Sequence, residues 1–368
     1  MEPNSQFTRS KQEKIDAFDP SGVSNVGGGV FGLPFSTEEA AIVLIPVPWE
    51  VTVSYNAGTA GGPEIIRQAS YQLDLFDPVI ENAWQLGIVM EDIPEEWMQR
   101  SHELRQKTKS YISWLDGGGE VLSPATTSEI INVVQEQSLQ LQQQIKEKAL
   151  RYLKAGKNVG LIGGDHSTPL GLMQALAEQY EEFGILQFDA HADLREAYEG
   201  FEFSHASIMY NALKIKQVKK LVQVGIRDIA ESEAELISLS NGRVTTFYDA
   251  ALKEALYEGA TWKKQCKKII AQLPQKVYIS FDIDGLDPKL CPGTGTPVAG
   301  GLELEEAIYL IKALVRSGRE IIGFDLCEVA PGQDEWNGNV GARLLYKLCN
   351  WMAVSQNKLK AQGYKTEE

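Results

Sequence analysis

Three of the chain's four histidines fall between residues 166 and 205, each beside carboxylates or a hydroxyl. The segments are Gly163-Gly164-Asp165-His166-Ser167, Asp189-Ala190-His191-Ala192-Asp193 and Ser204-His205-Ala206-Ser207. Far downstream comes Asp282-Ile283-Asp284-Gly285-Leu286-Asp287-Pro288. Asp189, His191 and Asp193 are spaced i, i+2, i+4, so on an extended segment their side chains leave one face. Asp282 and Asp284 repeat that spacing. With His166 the set holds two imidazoles and four carboxylates: His166, Asp189, His191, Asp193, Asp282 and Asp284. That exceeds what one tetrahedral ion needs. It suits two five- or six-coordinate divalent ions bridged by carboxylates. Oxygen-rich ligation favours Mn2+ over zinc and leaves Ni2+ or cobalt open. Taken singly, an Asp-x-Asp is more often a cap or turn, and a lone His a hydrogen-bonded core residue. Together the motifs would rarely arise as caps. Asp165 and Asp287 stay outside the ligand set, Asp287 as a turn and Asp165 as a cap or a support to His191. His102, in a polar helical stretch, reads as surface.

The elements that must position these groups alternate. Strand-like runs lie at 41–46, 159–162, 184–188, 220–224, 244–247, 277–281 and 321–325. Helical patterns fit 95–119, 127–155, 168–180, 231–239, 250–272, 303–317 and 339–353, and Pro63 opens another through Arg67. Alternating βα units with apolar strands predict an α/β domain with a parallel sheet covered on both faces. Residues 1–40, polar and then Gly-rich, read as an irregular extension that packs late or onto a neighbouring subunit. Residues 41–368 form the main domain, with a helical insertion at about 90–155. His166, the Asp189–Asp193 run, Asp282 with Asp284, and Glu328 each follow the carboxyl end of a strand, where open α/β sheets bind ligands.

The chain has 368 residues, 43% hydrophobic, with 35 basic against 50 acidic side chains and a formal charge of −15. Such a surface disfavours nucleic acid and anionic membrane. No apolar run nears the ~20 residues of a membrane span. The N-terminus lacks a signal-peptide core, so the cytosol is the expected compartment. Cys266, Cys291, Cys327 and Cys349 form no C-x-x-C pair. Cys327 and Cys349 read as small core residues, and no disulfide framework is expected.

In this order the motifs resemble the ureohydrolase family of arginases and agmatinases, with its Gly-Gly-Asp-His, Asp-Ala-His-x-Asp and Ser-x-Asp-x-Asp-x-x-Asp-Pro signatures. Gly293-Thr294-Gly295-Thr296-Pro297, Gly300-Gly301-Leu302 and Asn56-Ala57-Gly58 with Gly61-Gly62-Pro63 look similar too. The resemblance implies a three-layer α/β/α sandwich, two divalent metal ions held by the six residues above, a trimeric or hexameric assembly, and hydrolysis of a guanidino group to urea. It further implies that Asp193 orients the attacking water. His205 would shuttle protons, a role that suits imidazole. Glu328 would pair with the substrate's cationic guanidinium.

Departures bear on the substrate. Where arginases carry an acidic residue for the α-amino group, this chain has Ala230. Leu194-Arg195-Glu196-Ala197-Tyr198 resembles the agmatinase branch, so arginine is a poor candidate. The Ser-His-Ala-Ser form, the extension and the helical insertion look like larger agmatinase-like proteins that include guanidine hydrolases, which use nickel. The expected substrate is therefore agmatine or free guanidine, with Trp336 as candidate lid over a small pocket. Guanidinobutyrate or another guanidino acid is the alternative, for which Arg195 is the candidate partner, and a formimidoyl compound is an outside one. A catalytically silent metal-binding scaffold is the competing class, although no ligand or shuttle is lost here.

Overall fold

The apolar, β-branched runs become strands because helices cover both their faces. In the computed structural model, which describes residues 10–362, eight strands form a single sheet. They are β1 (Ile42–Val47), β2 (Ile88–Met90), β3 (Asn158–Gly163), β4 (Phe183–Phe188), β5 (Val218–Ile226), β6 (Val244–Tyr248), β7 (Lys276–Asp282) and β8 (Glu320–Cys327). Their order is β2-β1-β3-β8-β7-β4-β5-β6, and every neighbouring pair is parallel. The helices are α1 (Lys11–Ala17), α2 (Gly62–Ser70), α3 (Glu95–Leu115), α4 (Pro124–Lys154), α5 (Leu170–Ala177), α6 (Ile208–Leu213), α7 (Glu231–Leu239), α8 (Asp249–Tyr257), α9 (Trp262–Ile270), α10 (Leu304–Arg316) and α11 (Trp336–Ser355).

The period-2 alternation of a strand divides the core in two. Ile42 and Leu44 of β1 pack with Ile66, Leu252, Ile269, Leu310 and Leu345 of α2, α8, α9, α10 and α11. Val43 and Ile45 point the other way, into a cluster with Ile112, Ile145, Leu172 and Met209 of α3, α4, α5 and α6. The result is a three-layer α/β/α sandwich, as the alternating pattern predicts.

Several elements differ from the sequence expectations. The helix expected at 250–272 is two helices, because Gly259 turns with φ 93° and Thr261 caps a new start by accepting from the Lys264 amide. The three-residue β2 is too short to carry a periodic signal. The second insertion helix starts at Pro124 with Ser123 as its cap, a Ser-Pro signature for a helix start. The extension is not wholly irregular, and its later part packs onto this chain's own core. Its residues 1–9 lie outside the described residues, and from Ser10 onward it carries α1 with the Ser10–Glu13 capping box. Val30, Phe31, Leu33 and Phe35 then bury into this chain's own core, with the Phe31 amide donating to Ser70 Oγ at 2.9 Å.

Registry across the sheet lays polar residues in one row. Thr246, Gln223, Gln187, Ser280 and Asp325 are successive partners on β6, β5, β4, β7 and β8. The last four are fully buried, and their row lies just below the carboxyl ends of the strands.

The turn out of β3 leaves no room for a side chain. A Cβ on Gly164 would lie 1.9 Å from the Trp49 carbonyl oxygen. Gly164→Ala is expected to cost about 2–3 kcal/mol, read as a lower urea midpoint; an unchanged midpoint would refute this packing.

Candidate metal centre and its cavity

The four central strands β3, β8, β7 and β4 deliver the candidate ligands at their carboxyl ends. His166 follows β3, Asp189 follows β4, Asp282 ends β7, and Glu328 follows β8. All six predicted ligand residues converge. His166 Nδ1 lies 3.0 Å from Asp189 Oδ2, 3.0 Å from Asp193 Oδ2 and 3.4 Å from Asp282 Oδ2. His191 Nδ1 lies 3.0 Å from Asp284 Oδ2 and 3.6 Å from Asp189 Oδ1. Two ligand groups result, His166–Asp189–Asp193 and Asp189–His191–Asp284. They share Asp189, which turns one carboxylate oxygen to each.

Local backbone fixes these directions. The Asp189 carboxylate accepts the His191 amide at 2.7 Å, Asp282 accepts the Asp284 amide at 2.8 Å, and Asp284 accepts the Ala190 amide at 3.0 Å. Asp193 (φ 55°) and Glu328 (φ 64°) both adopt the left-handed conformation. Such strain in non-glycine residues concentrates at functional sites.

The polar row beneath orients the ligands, and sequence reasoning missed it. Gln187 Nε2 donates to Asp189 Oδ2 at 2.7 Å, and Gln223 Nε2 donates to Gln187 Oε1 at 2.8 Å. Ser280 Oγ lies 2.9 Å from His166 Nε2 and donates to Asp325 Oδ2 at 2.8 Å. With the Ser280 proton committed to Asp325, Nε2 of a metal-bound His166 would donate to Ser280 and leave Nδ1 as the ligating atom. This is how outer residues select a ligating tautomer. The available signal was polar residues inside otherwise apolar strands. Asp325 and Cys327 also approach His166 as a third ligand-type group. Asp325 is already engaged by Ser280 and by the Phe281 amide at 3.1 Å, and burial pushes the Cys327 thiol well up. These two therefore support the site rather than ligate.

Charge decides whether the residues fit a metal. Four carboxylates face two imidazoles, and among the described residues no Lys or Arg side chain pairs with them. Burial opposes a charge on the imidazoles, yet the surrounding carboxylates outweigh it, raising His166 well above its ordinary value and His191 to about 12. Burial and the neighbouring Asp189 raise Asp193 to about 7. Burial and Asp284 raise Asp282 well above the carboxylate range. Such a pocket demands cations. Two divalent ions bring four positive charges to its four carboxylates, and the mixed imidazole and carboxylate donor set suits Mn2+ or Ni2+. The residues fit.

Beside the ligands opens a cavity of about 140 Å3, lined among others by Ser54, His191, Asp193, Arg195, Tyr198 and His205. His205 stands edge-on to Tyr198 with ring centroids 5.7 Å apart, and its Nδ1 has no hydrogen-bond partner among the described residues. Burial, then the charged His191 and His166, lowers its pKa to about 3. Arg195 lies over the Tyr198 ring at 4.9 Å. Glu328 is buried behind His166, accepting its amide proton at 2.8 Å. Its second oxygen faces Gly295, where a Cβ would come within 2.6 Å. Trp336 is not brought to the cavity; it begins α11, 46% exposed, its indole donating to the Lys289 carbonyl at 3.0 Å. Asp165 takes the Ser167 amide at 2.9 Å as a local cap, not as a support to His191. Asp287 accepts the Lys289 amide in a turn, and His102 is exposed.

Comparison with known proteins agrees with this architecture. The chain is 33% identical over 309 residues to the N(1)-aminopropylagmatine ureohydrolase of Thermus thermophilus, covering 84% of this chain and 89% of the relative. It is 28% identical to the agmatinase of Neisseria meningitidis, over 80% of each. The crystal structure of a hypothetical agmatinase from Burkholderia thailandensis superposes with a TM-score of 0.64 at 25% identity, covering 90% of this chain and 91% of that one. Residues 40–350, which span every strand and all six ligand positions, match the model of the Arginase family. The chain belongs to the arginase family.

Proposed function

We propose that this protein is a binuclear metal-dependent ureohydrolase that cleaves a C–N bond of a small cationic guanidino compound and releases urea. The observation that carries this reading is the sharing of Asp189 between two ligand groups, one oxygen to each. His166, Asp189 and Asp193 would hold one ion, and His191 and Asp284, again with Asp189, the other. Asp282 would stand between them. Two divalent cations held there supply Lewis acidity and acidify water to near neutral pH.

The protein's own groups do the rest. Asp193, held in a left-handed backbone and bonded to His166, would orient the attacking water. Glu328 would face the guanidinium, its carboxylate fixed on one side by the His166 amide so that the other oxygen is free to accept. His205 lines the cavity with an unpartnered Nδ1 and would carry the proton to the leaving amine. The cavity has the scale of a small substrate.

Agmatine and free guanidine, giving putrescine or ammonia beside urea, fit best. A cationic tail on the substrate of the Thermus relative and the acidic balance of this chain support the first. The small cavity supports the second. Arg195 at the cavity wall favours a guanidino acid such as guanidinobutyrate as a second reading. We further propose 1–40 as an extension and 41–368 as the catalytic domain with its insertion at 90–155, assembled as a trimer or hexamer in the cytoplasm. Among the described residues no helix is long and apolar enough to cross a membrane.

A panel of guanidine, agmatine, guanidinobutyrate and arginine, each with Mn2+, Ni2+ or Co2+, should give urea from one of the first three and little from arginine. No urea under any combination would favour the silent scaffold. Asp189→Ala is expected to deplete both ions, since it removes the shared carboxylate, and to abolish activity. His205→Ala should keep the ion content and lower kcat by about 10²–10⁴-fold, the usual worth of a positioned proton donor. Full activity in both variants, or ion loss in His205→Ala, would overturn the assignments.

A further inference from the structure

One of the two ligand groups, Asp189–His191–Asp284, is backed by an arginine with no part in the site described above. Arg227 follows β5, which adjoins β4, which in turn adjoins β7. From there its side chain reaches past the end of β4 to the turn after β7. Its Nη2 donates to the Asp284 carbonyl at 2.6 Å, the Leu286 carbonyl at 3.2 Å and the Val298 carbonyl at 2.9 Å. Its Nε donates to the Val298 carbonyl at 3.2 Å, and its Nη1 to the Gly225 carbonyl at 3.1 Å. Every acceptor is a main-chain carbonyl, and the four come from three separate segments. A guanidinium suits that task, because its donors point outward in a fixed planar fork, whereas an ammonium presents a single compact charge.

The backbone is shaped to admit this side chain. Gly300 (φ 99°) and Gly301 (φ 102°) lie against it, and a Cβ would come within 3.3 Å of Arg227 Cδ from the first and 2.9 Å of Nη2 from the second. The Gly300-Gly301-Leu302 run of the sequence thereby gains a physical reason. Its Leu302 amide donates to the Gly285 carbonyl at 3.1 Å, which fixes the same turn from the other side. Together with Ala190, Arg227 closes a ring of contacts around Asp284. The Ala190 amide donates to Asp284 Oδ1 at 3.0 Å, the Arg227 amide donates to the Ala190 carbonyl at 2.8 Å, and the guanidinium donates to the Asp284 carbonyl. Asp284 is thus held at its carboxylate and at its backbone, with Oδ2 left facing His191 Nδ1 at 3.0 Å. The other ligand group has separate supports. His166 rests on Ser280, and the Asp193 carbonyl accepts the Met209 and Tyr210 amides at 3.0 and 3.2 Å. Among the described residues, no hydrogen bond of Arg227 goes to His166 or Asp193.

We propose that Arg227 is a positioning residue for one ion of the pair: its guanidinium clamps the backbone that carries Asp284 and so sets the affinity of the Asp189–His191–Asp284 group, while the His166–Asp189–Asp193 group is left as it is. The inference rests on the binuclear reading for what the clamp serves. Without the guanidinium, the carbonyls of Asp284, Leu286 and Val298 lose their shared donor, and the turn relaxes to bring them to water, because an unpaired polar group in a packed interior is unfavourable. Asp284 Oδ2 then leaves its place beside His191. Asp189 serves both groups, so its removal strips both ions, whereas removal of Arg227 separates them.

The test uses Arg227→Met and Arg227→Lys in full-length protein, stripped of metal and titrated with Mn2+ by calorimetry. In Arg227→Met one equivalent should bind with a Kd within about threefold of wild type, and the other at least about tenfold more weakly, the scale on which a residue behind a metal ligand acts. Arg227→Lys, which keeps one donor near the Asp284 carbonyl, should weaken the same equivalent by a smaller factor. In metal-free protein, amide exchange at Ala190 and over 284–286 should accelerate by about tenfold or more in Arg227→Met, while β3 stays protected. General loosening of the fold would weaken both ions alike, and that result would overturn the clamp. So would wild-type affinity for both ions in Arg227→Met. Where Arg227→Met does not fold, the inequality between the two ions in Arg227→Lys decides the matter. A wild-type protein that binds fewer than two ions would sink the binuclear reading, and exchange at Ala190 in the metal-free variants would still decide whether Arg227 holds the turn.

Discussion

Four carboxylates and two imidazoles cannot share a buried pocket without added positive charge. Asp189, Asp193, Asp282 and Asp284 have no Lys or Arg partner among the described residues, and they push His166 and His191 toward the cationic form. A fold that sought stability alone would place apolar side chains there. The deficit is tolerable when the pocket binds divalent cations. The surrounding structure then reads as the means of holding that anionic pocket open in one geometry.

Parallel strands supply the means. Their carboxyl ends lie together at one edge, so residues distant in the chain, His166 and Asp284 among them, meet without long loops. Registry adds the row from Thr246 to Asp325, which sets two runs of hydrogen bonds under the ligands, Thr246–Gln223–Gln187 and Ser280–Asp325. That row orients Asp189 through Gln187 and selects the His166 tautomer through Ser280 and Asp325. The layers above and below contribute differently. The α2, α10 and α11 side is core, whereas α3 and α4 on the other side also brace the cavity rim.

Much of this was legible in the sequence, for definite reasons. Ligand spacing of two residues on extended chain is a direct consequence of strand geometry, so Asp189, His191 and Asp193, like Asp282 and Asp284, could be grouped without a structure. Continuous apolar runs announced a sheet covered on both faces. Short elements escaped: β2 has three residues, and one glycine at 259 splits what periodicity joins. Gln187, Ser280 and Asp325 were passed over because a single polar residue in a strand carries no periodic signal, and registry is a property of neighbours distant in sequence. Where the extension packs was not legible, because its apolar residues Val30, Phe31, Leu33 and Phe35 are too few and irregular to form a pattern, although they bury into this chain's core. Trp336 was drawn to the pocket by its type alone, and the structure spends its indole on the Lys289 carbonyl.

Elemental analysis of the purified, active protein, paired with activity regained on titrating metal into the stripped chain, bears most directly on the central claim. The account predicts about two Mn2+ or Ni2+ per chain, with activity rising to its maximum as the second equivalent is bound. Full urea-forming activity at no more than trace metal, or saturation at one equivalent, would contradict it.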